Sequence, residues 1–388
     1  MTFIRLHIVP FILSVIIICG VVFLFPNDSV DVSQSVSIGC SQKKSYIYDN
    51  FDTIPEGITP FAAAIKDKES ILLLGSSELT TSSDYIPYQF FNNQTPFRLV
   101  AFGHAFYQTF SMYCNLLAFK GDLSGKKICI ILSPGWFELS GTNTEAFLEF
   151  VRPEMLANII NDEGLSRDEK SVIGDYVKRN SSFFAGLSQS MEYLTLLNEF
   201  FIPFREQWLR RLKSKIPQYK FESCNFFEKR QFEYSYPDWN QLKENSKSSF
   251  AKKCSNDYFI DDESLKSILN GASEFKRIDA HPIGIRNNQE FEDFKRLVNL
   301  LKSGGAKPIF VIQGLIPTGF NHLERFDELK IAIKKELDDR QFPYLDLFEI
   351  NLEKYQPGTL HDLSHMGDYG WNEVNQFIYN QFCYEKIN

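Results

Sequence analysis

Short runs that are apolar at nearly every position, rather than at alternate ones, set the terms for this chain. Ile71–Leu74, Lys127–Leu132 and residues 308–312 all have this character. A half-exposed strand alternates with period two; a continuous apolar run belongs to a strand covered on both faces, the habit of a parallel sheet. Residues 98–102 and 344–347 are further strand candidates. Helical spacing occupies 106–119, 290–302 and 324–337, between the runs. Strands separated by helices imply an α/β fold with a parallel sheet. A chain of 388 residues with 44% hydrophobic residues and 37 phenylalanines can fill an aromatic-rich core for it.

Residues 141–280 break this rhythm. Helical periods are expected over 146–160, 183–201 and 206–212, whereas 222–257 is charged, rich in Phe and Tyr, and irregular. The block reads as a helical insertion between sheet strands, a cap over a site or a docking surface. The expected organisation is a membrane anchor at 1–26, a tether and lead-in at 27–69, and an α/β domain at 70–388 that carries the insertion.

The anchor is expected from residues 8–25, which are almost wholly apolar. As a helix they would span roughly 27 Å, close to the hydrocarbon thickness of a bilayer. Arg5 precedes the run and Asp28 follows it, which places the N-terminus in the cytoplasm and the rest of the chain outside. No small-residue cleavage site follows directly, so the segment reads as an uncleaved anchor rather than a signal peptide. Outside the membrane Cys40, Cys114, Cys129, Cys224, Cys254 and Cys383 are free to pair, and Cys224–Cys254 is the expected bridge. Cys129 lies in a strand run and reads as a buried thiol. A net charge of −8 without a basic stripe argues against nucleic-acid binding.

Chemistry is offered by two short motifs at opposite ends of the domain. Gly75-Ser76-Ser77-Glu78 follows the Ile71–Leu74 run, so Ser77 falls at the carboxyl edge of a strand, where open α/β sheets hold their sites. Gly75 relaxes the backbone at the turn. Glu78-Leu79-Thr80 looks like the first turn of a helix, with N–H groups able to face an oxyanion. Asp362-Leu363-Ser364-His365 forms a loop before a last helix bearing Trp371, Val374, Ile378 and Phe382 on one face. The spacing lets the Asp362 carboxylate reach the His365 imidazole and fix its tautomer. Taken singly, Ser77 reads as a helix cap and the Asp–His pair as a cap beside an incidental histidine. Together they supply nucleophile, base and orienting acid for acyl transfer.

His361 and His365, with Asp362 between them, also imitate a zinc-binding His-Glu-x-x-His helix. The acid is the shorter Asp, however, and glycines at 358 and 367 leave too little helix, so no metal or organic cofactor is expected. Gly103, after the 98–102 strand, and Gly135-Trp136, after Lys127–Leu132, are the candidates for an oxyanion donor and pocket lining. His281, His322 and Asp346 read as structural or surface residues.

These residues resemble a known family. Gly75-Ser76-Ser77-Glu78-Leu79 is similar to the nucleophile block of SGNH/GDSL-type hydrolases, with Ser76 where that superfamily usually has Asp. Asp362-x-x-His365 resembles its closing block. The N-terminal anchor, Ser133-Pro134-x-Trp136-Phe137, the insertion and Asp362-x-x-His365-x-Gly367-x-x-Gly370-Trp371 together resemble the DltD family over essentially the full length. The resemblance implies an SGNH-like three-layer α/β/α fold on the outer membrane face. It makes Ser77 the nucleophile, His365 the base and Asp362 its partner. It also implies D-alanyl transfer to teichoic acid beside an MBOAT-type membrane O-acyltransferase, fed from a D-alanyl carrier protein. Gly135 stands where the family tends to carry Gln, and the Gly-x-Asn-Asp block that gives SGNH enzymes an oxyanion Asn is not apparent. The alternatives are an envelope-glycan O-acetyltransferase or esterase of the same fold, or a non-catalytic scaffold for a membrane acyltransferase.

Overall fold

The computed structural model describes residues 36–38, 47–48, 58–138, 141–180, 219–221, 236–282 and 284–383. The apolar segment 8–25, most of the tether at 27–44, and the helices expected at 183–201 and 206–212 lie outside these residues. Among the described residues no helix is long and apolar enough to cross a membrane. Everything below belongs to the larger of two compact units, Ile38–Ile202 with Phe221–Asn388.

A six-stranded parallel sheet organises that unit. Its strands are β1 (Ile47–Tyr48), β2 (Ile71–Leu74), β3 (Leu99–Phe102), β4 (Lys127–Leu132), β6 (Lys307–Ile312) and β8 (Tyr344–Asp346), side by side in the order β1-β3-β2-β4-β6-β8. The short strands β5 (Ile278–Asp279) and β7 (Phe320–Asn321) pair separately, also in parallel. Every residue of β2 and β3 is buried, which is why both read as unbroken apolar runs. The edge strand β1 and helix α1 (Thr59–Lys66) come from the lead-in, whose residues show no strong period.

Helices cover both faces. On one, Ile71, Leu73, Cys129, Ile131, Ile309 and Val311 share a core with Phe90, Trp371, Ile378 and Tyr379, from α2 (Pro87–Gln94) and α11 (Asp368–Phe382). On the other, Phe102 meets Phe61 of α1 edge-on with centroids 5.0 Å apart. There Phe310 meets Phe294 of α9 (Gln289–Ser303) at 6.0 Å, and α9 packs on α3 (Thr109–Leu117). Edge-to-face rings add to the burial of their area, the use this fold finds for its phenylalanines. Helix α10 (Asp327–Asp338) lies between β7 and β8.

The insertion differs from expectation in two places. The helix expected at 146–160 is two, α4 (Thr144–Phe150) and α5 (Pro153–Asn161), because Pro153 holds Arg152 extended at φ −74°, ψ 154°. The tract 222–257 is not irregular throughout: it contains α7 (Trp239–Lys253), capped by Asp238 accepting the Gln241 N–H. Only Ser246 and Phe250 of that helix are fully buried, so its sequence shows almost no apolar stripe. Helix α6 (Arg167–Arg179) packs Tyr176 at a tilt against Phe110 of α3 and Phe147 of α4, with centroids 4.5 and 4.6 Å away. Helix α7 packs instead on α11, with Trp239 at 5.4 Å from Tyr379 and Lys243 paired to Glu373 at 3.0 Å. The described parts of the insertion therefore brace both layers. Helix α8 (Asp262–Leu269) follows α7.

Cys254 is a free thiol whose Sγ lies 3.6 Å from the Asn256 carbonyl oxygen, so the expected Cys224–Cys254 bridge is not made. Cys224 itself lies outside the described residues. Cys129 is the buried free thiol expected of β4, and burial pushes its pKa up.

Candidate active site

Strand order decides where a site can form. From β2 the chain moves to β3 on one side; from β3 it passes back over β2 to β4 and continues outward on the other side. Connections leave in opposite directions at β2 and β4, and ligands of open α/β sheets bind at the carboxyl ends of such a switch point. Ser77 follows β2 there.

The turn after β2 is built by exclusion. Gly75 does not have a positive φ, so conformational freedom is not its role, contrary to the reading from sequence. A Cβ on Gly75 would stand 2.7 Å from Glu78 Oε1 and 2.9 Å from Leu79 Cγ, so the position requires the absence of a side chain. Gly103 has φ +150°, and a Cβ there would stand 1.9 Å from the Gly75 carbonyl oxygen. The two strand ends thus touch through backbone alone. Ser76 is buried; its hydroxyl donates to the His104 carbonyl at 3.1 Å and its N–H to Glu78 Oε1 at 2.6 Å. Ser76 is turned inward, and Ser77, partly exposed, is the serine presented to the sheet edge. The helix expected after Ser77 is a single 3-10 turn, Ser77–Thr80, with Thr81 already extended, so little helix dipole reaches the serine.

The other half comes from a closed loop before α11. His361 N–H donates to the His365 carbonyl at 2.9 Å, and Leu360 bridges Met366. Asp362 Oδ1 accepts the backbone N–H groups of Ser364 and His365 at 2.9 and 2.8 Å. This leaves Oδ2 facing His365 Nδ1 at 2.7 Å, while His365 Nε2 lies 2.9 Å from Ser77 Oγ. Three side chains spread over 288 positions of sequence thereby form one hydrogen-bonded chain, Asp362–His365–Ser77.

The charges are poised by the same contacts. Burial alone would push Asp362 up; the His365 hydrogen bond and charge outweigh it, with help from His361 and the Ser364 N–H, and hold the carboxyl down to about 2. The Asp362 hydrogen bond raises His365 above the ordinary imidazole range, partial burial opposes this, and the charges of Asp362 and Glu78 add to the rise. Glu78 is a buried carboxyl that sequence reasoning took only for part of a first turn. Burial pushes its pKa up, against the Ser76 and Glu78 N–H groups and the His365 charge. Nothing in a linear sequence marks an acid as buried; its place beside the serine was the one available signal.

Gly135 and Trp136 sit in a 3-10 turn, Pro134–Glu138, at the carboxyl end of β4. They share the sheet edge with Ser77, but no hydrogen bond joins them to it. Gly103 reaches the serine turn through Gly75. His322 is exposed and faces Glu324 at 3.3 Å, His281 borders Arg325 at 3.4 Å, and Asp346 is ion-paired with Lys334. Asp368, unnoticed in the sequence, ties three segments together: it accepts from Ser83 at 2.7 Å and Ser249 at 2.6 Å and meets Lys253 at 3.4 Å. A cleft of about 560 Å³ opens beside it, lined by Ser83, Lys252, Asp262, His361 and Asp368 among others, but not by Ser77 or His365.

The fold and site define a class: a parallel α/β protein with a serine, an imidazole and a carboxylate hydrogen-bonded in series at a strand-order switch point. The chain belongs to the DltD protein family, whose pattern matches residues 61–383. It is 26% identical over 341 residues to Protein DltD of Bacillus subtilis (strain 168), covering 81% of this chain and 82% of that protein.

Proposed function

We propose that this protein is a membrane-anchored acyltransferase on the outer face of the cell membrane, which transfers D-alanine to teichoic acid through an acyl-enzyme on Ser77. The observation that carries the reading is the Asp362–His365–Ser77 chain, at 2.7 and 2.9 Å. Membership of the DltD family supports D-alanine as the acyl group and teichoic acid as the acceptor.

His365 Nε2 takes the Ser77 proton as Oγ attacks the carbonyl carbon of a D-alanyl donor. Asp362 holds the tautomer that leaves Nε2 free to accept, and it stabilises the imidazolium that forms. N–H groups at Ser77 and Gly103 receive the oxyanion. The tetrahedral adduct collapses, the donor's leaving group departs with the proton from His365, and the D-alanyl ester of Ser77 remains. An acceptor hydroxyl then gives its proton to His365 and attacks that ester, which releases the esterified polymer and restores Ser77. The donor is supplied by an MBOAT-type membrane O-acyltransferase that draws on a D-alanyl carrier protein. The sheet is SGNH-like, residues 1–26 anchor it, 27–69 lead into the domain at 70–388, and the 141–280 insertion limits water at the acyl-enzyme.

Fluorophosphonate labelling of the full chain, followed by peptide mapping, tests this. One adduct on Ser77 that disappears in His365→Ala is the expected result, with Ser77→Ala abolishing teichoic acid D-alanylation in cells that make normal amounts of the protein. Unchanged D-alanylation in Ser77→Ala would replace the reading with that of a scaffold.

A further inference from the structure

His361, Asp362 and His365 converge in a way the acyl-transfer chemistry does not use. One nitrogen of each imidazole and one carboxylate oxygen lie within 4.8 Å of one another. His361 Nε2 approaches the same Oδ2 that faces His365, at 3.6 Å, and the two rings are nearly parallel with centroids 6.0 Å apart. The far side of the His361 ring is held as well, with Nδ1 at 3.3 Å from Ser264 Oγ.

We propose that these three side chains form a binding site for a divalent transition-metal ion of the Zn²⁺ type, and that its occupation inhibits the enzyme. The inhibition rests on the reading of Ser77 and His365 as nucleophile and base; the metal site does not.

With bonds of about 2.0–2.2 Å, neighbouring donors of a tetrahedral zinc stand about 3.3 Å apart. The observed spacings at Oδ2, 2.7 Å to His365 and 3.6 Å to His361, lie on either side of that value. Small side-chain rotations therefore suffice. The backbone is already fixed, because Oδ1 is held by two N–H groups and the loop is closed by the His361–His365 hydrogen bond. The three side chains are 33%, 19% and 30% exposed, so an ion can reach them from solvent, which also supplies a water as the fourth ligand. Two imidazoles and one carboxylate suit Zn²⁺ or its late first-row neighbours rather than Mg²⁺ or Ca²⁺. The entering ion takes the lone pair of His365 Nδ1, so the single imidazole proton moves, through solvent, from Nδ1 to Nε2. The Asp362–His365 hydrogen bond is then lost, and Nε2, now carrying the proton, can no longer accept the one from Ser77.

The test uses the full chain, free of any histidine tag, with Zn²⁺ as the probe. Equilibrium dialysis should find one tight Zn²⁺ per chain in the wild type, not displaced by millimolar Mg²⁺, and at least tenfold weaker binding in His361→Gln. Fluorophosphonate labelling of Ser77 should slow at least tenfold with Zn²⁺ and recover with a chelator, while His361→Gln still labels and its rate does not respond to the ion. Absence of stoichiometric binding, or equal binding in His361→Gln, overturns the site. Tight, His361-dependent binding in a protein that never labels upholds the site and removes the acyl-enzyme reading. Should His361→Gln fail to fold, Asp362→Asn serves for the same binding measurement.

Discussion

At the scale of single residues, the arrangement turns on which oxygen of Asp362 does what. Oδ1 is committed to the backbone of its own loop and Oδ2 to the imidazole, so one side chain both shapes the loop and orients the base. A pH dependence follows. The base works only when neutral, and His365 is raised above its ordinary value, so Ser77 labelling should lose rate as pH falls through a midpoint above about 6.5. Asp362→Asn removes the hydrogen bond and the charge that raise it. That variant should move the midpoint to lower pH and cut the plateau rate by roughly 10²–10⁴. A pH series of labelling rates reads both; a midpoint that stays in place would mean that Asp362 does not set the imidazole's charge. Ser76 and Ser77 show what side-chain chemistry alone leaves open. They are identical in sequence, and only their backbone positions turn one inward to His104 and the other outward to His365.

At the scale of elements, several termini are completed by residues from elsewhere. Gln108 precedes α3 without capping it through its own side chain. The cap comes from Glu290 at the start of α9, which accepts the Thr109 N–H at 2.9 Å, its hydroxyl at 2.6 Å and Gln108 Nε2 at 3.1 Å. Burial pushes this carboxyl up to about 8. Glu290→Ala should therefore destabilise the protein by about 1–3 kcal/mol, from buried donors left without an acceptor, while Glu290→Gln keeps an oxygen and loses less. Denaturant midpoints of both variants check this, and equal losses would deny the cap its importance. Element positions were legible where packing imposes a pattern. Lys127–Leu132 is a strand over the expected residues, and 290–302 is helical within α9. They were not legible for α7, which buries only Ser246 and Phe250 and otherwise rests partly exposed side chains such as Trp239 and Lys243 on α11.

At the scale of the whole molecule, the chain closes a site from its two ends. The β2 turn and the loop before α11 meet because β2 stands near the middle of the sheet and α11 packs across the same face. The proposed anchor makes a prediction at this scale. After cell fractionation the full chain should sediment with membranes, and a chain beginning at Asn27 should not, because roughly 18 apolar residues are what a bilayer helix requires. A full chain found in the soluble fraction would remove the anchor from the reading.

The α/β class and its parallel sheet were determined by the sequence, because a strand buried on both faces must be apolar at every position. The residues of the candidate site were also legible, because serine, histidine and aspartate at strand and helix ends have few equivalents. Tertiary structure alone decided that Gly75 serves by its lack of volume, that Glu78 is buried, that Cys254 stays unpaired and that His361 shares the carboxylate of Asp362. Each of these depends on atoms brought close by folding rather than by chain connectivity, and no local pattern records such distances.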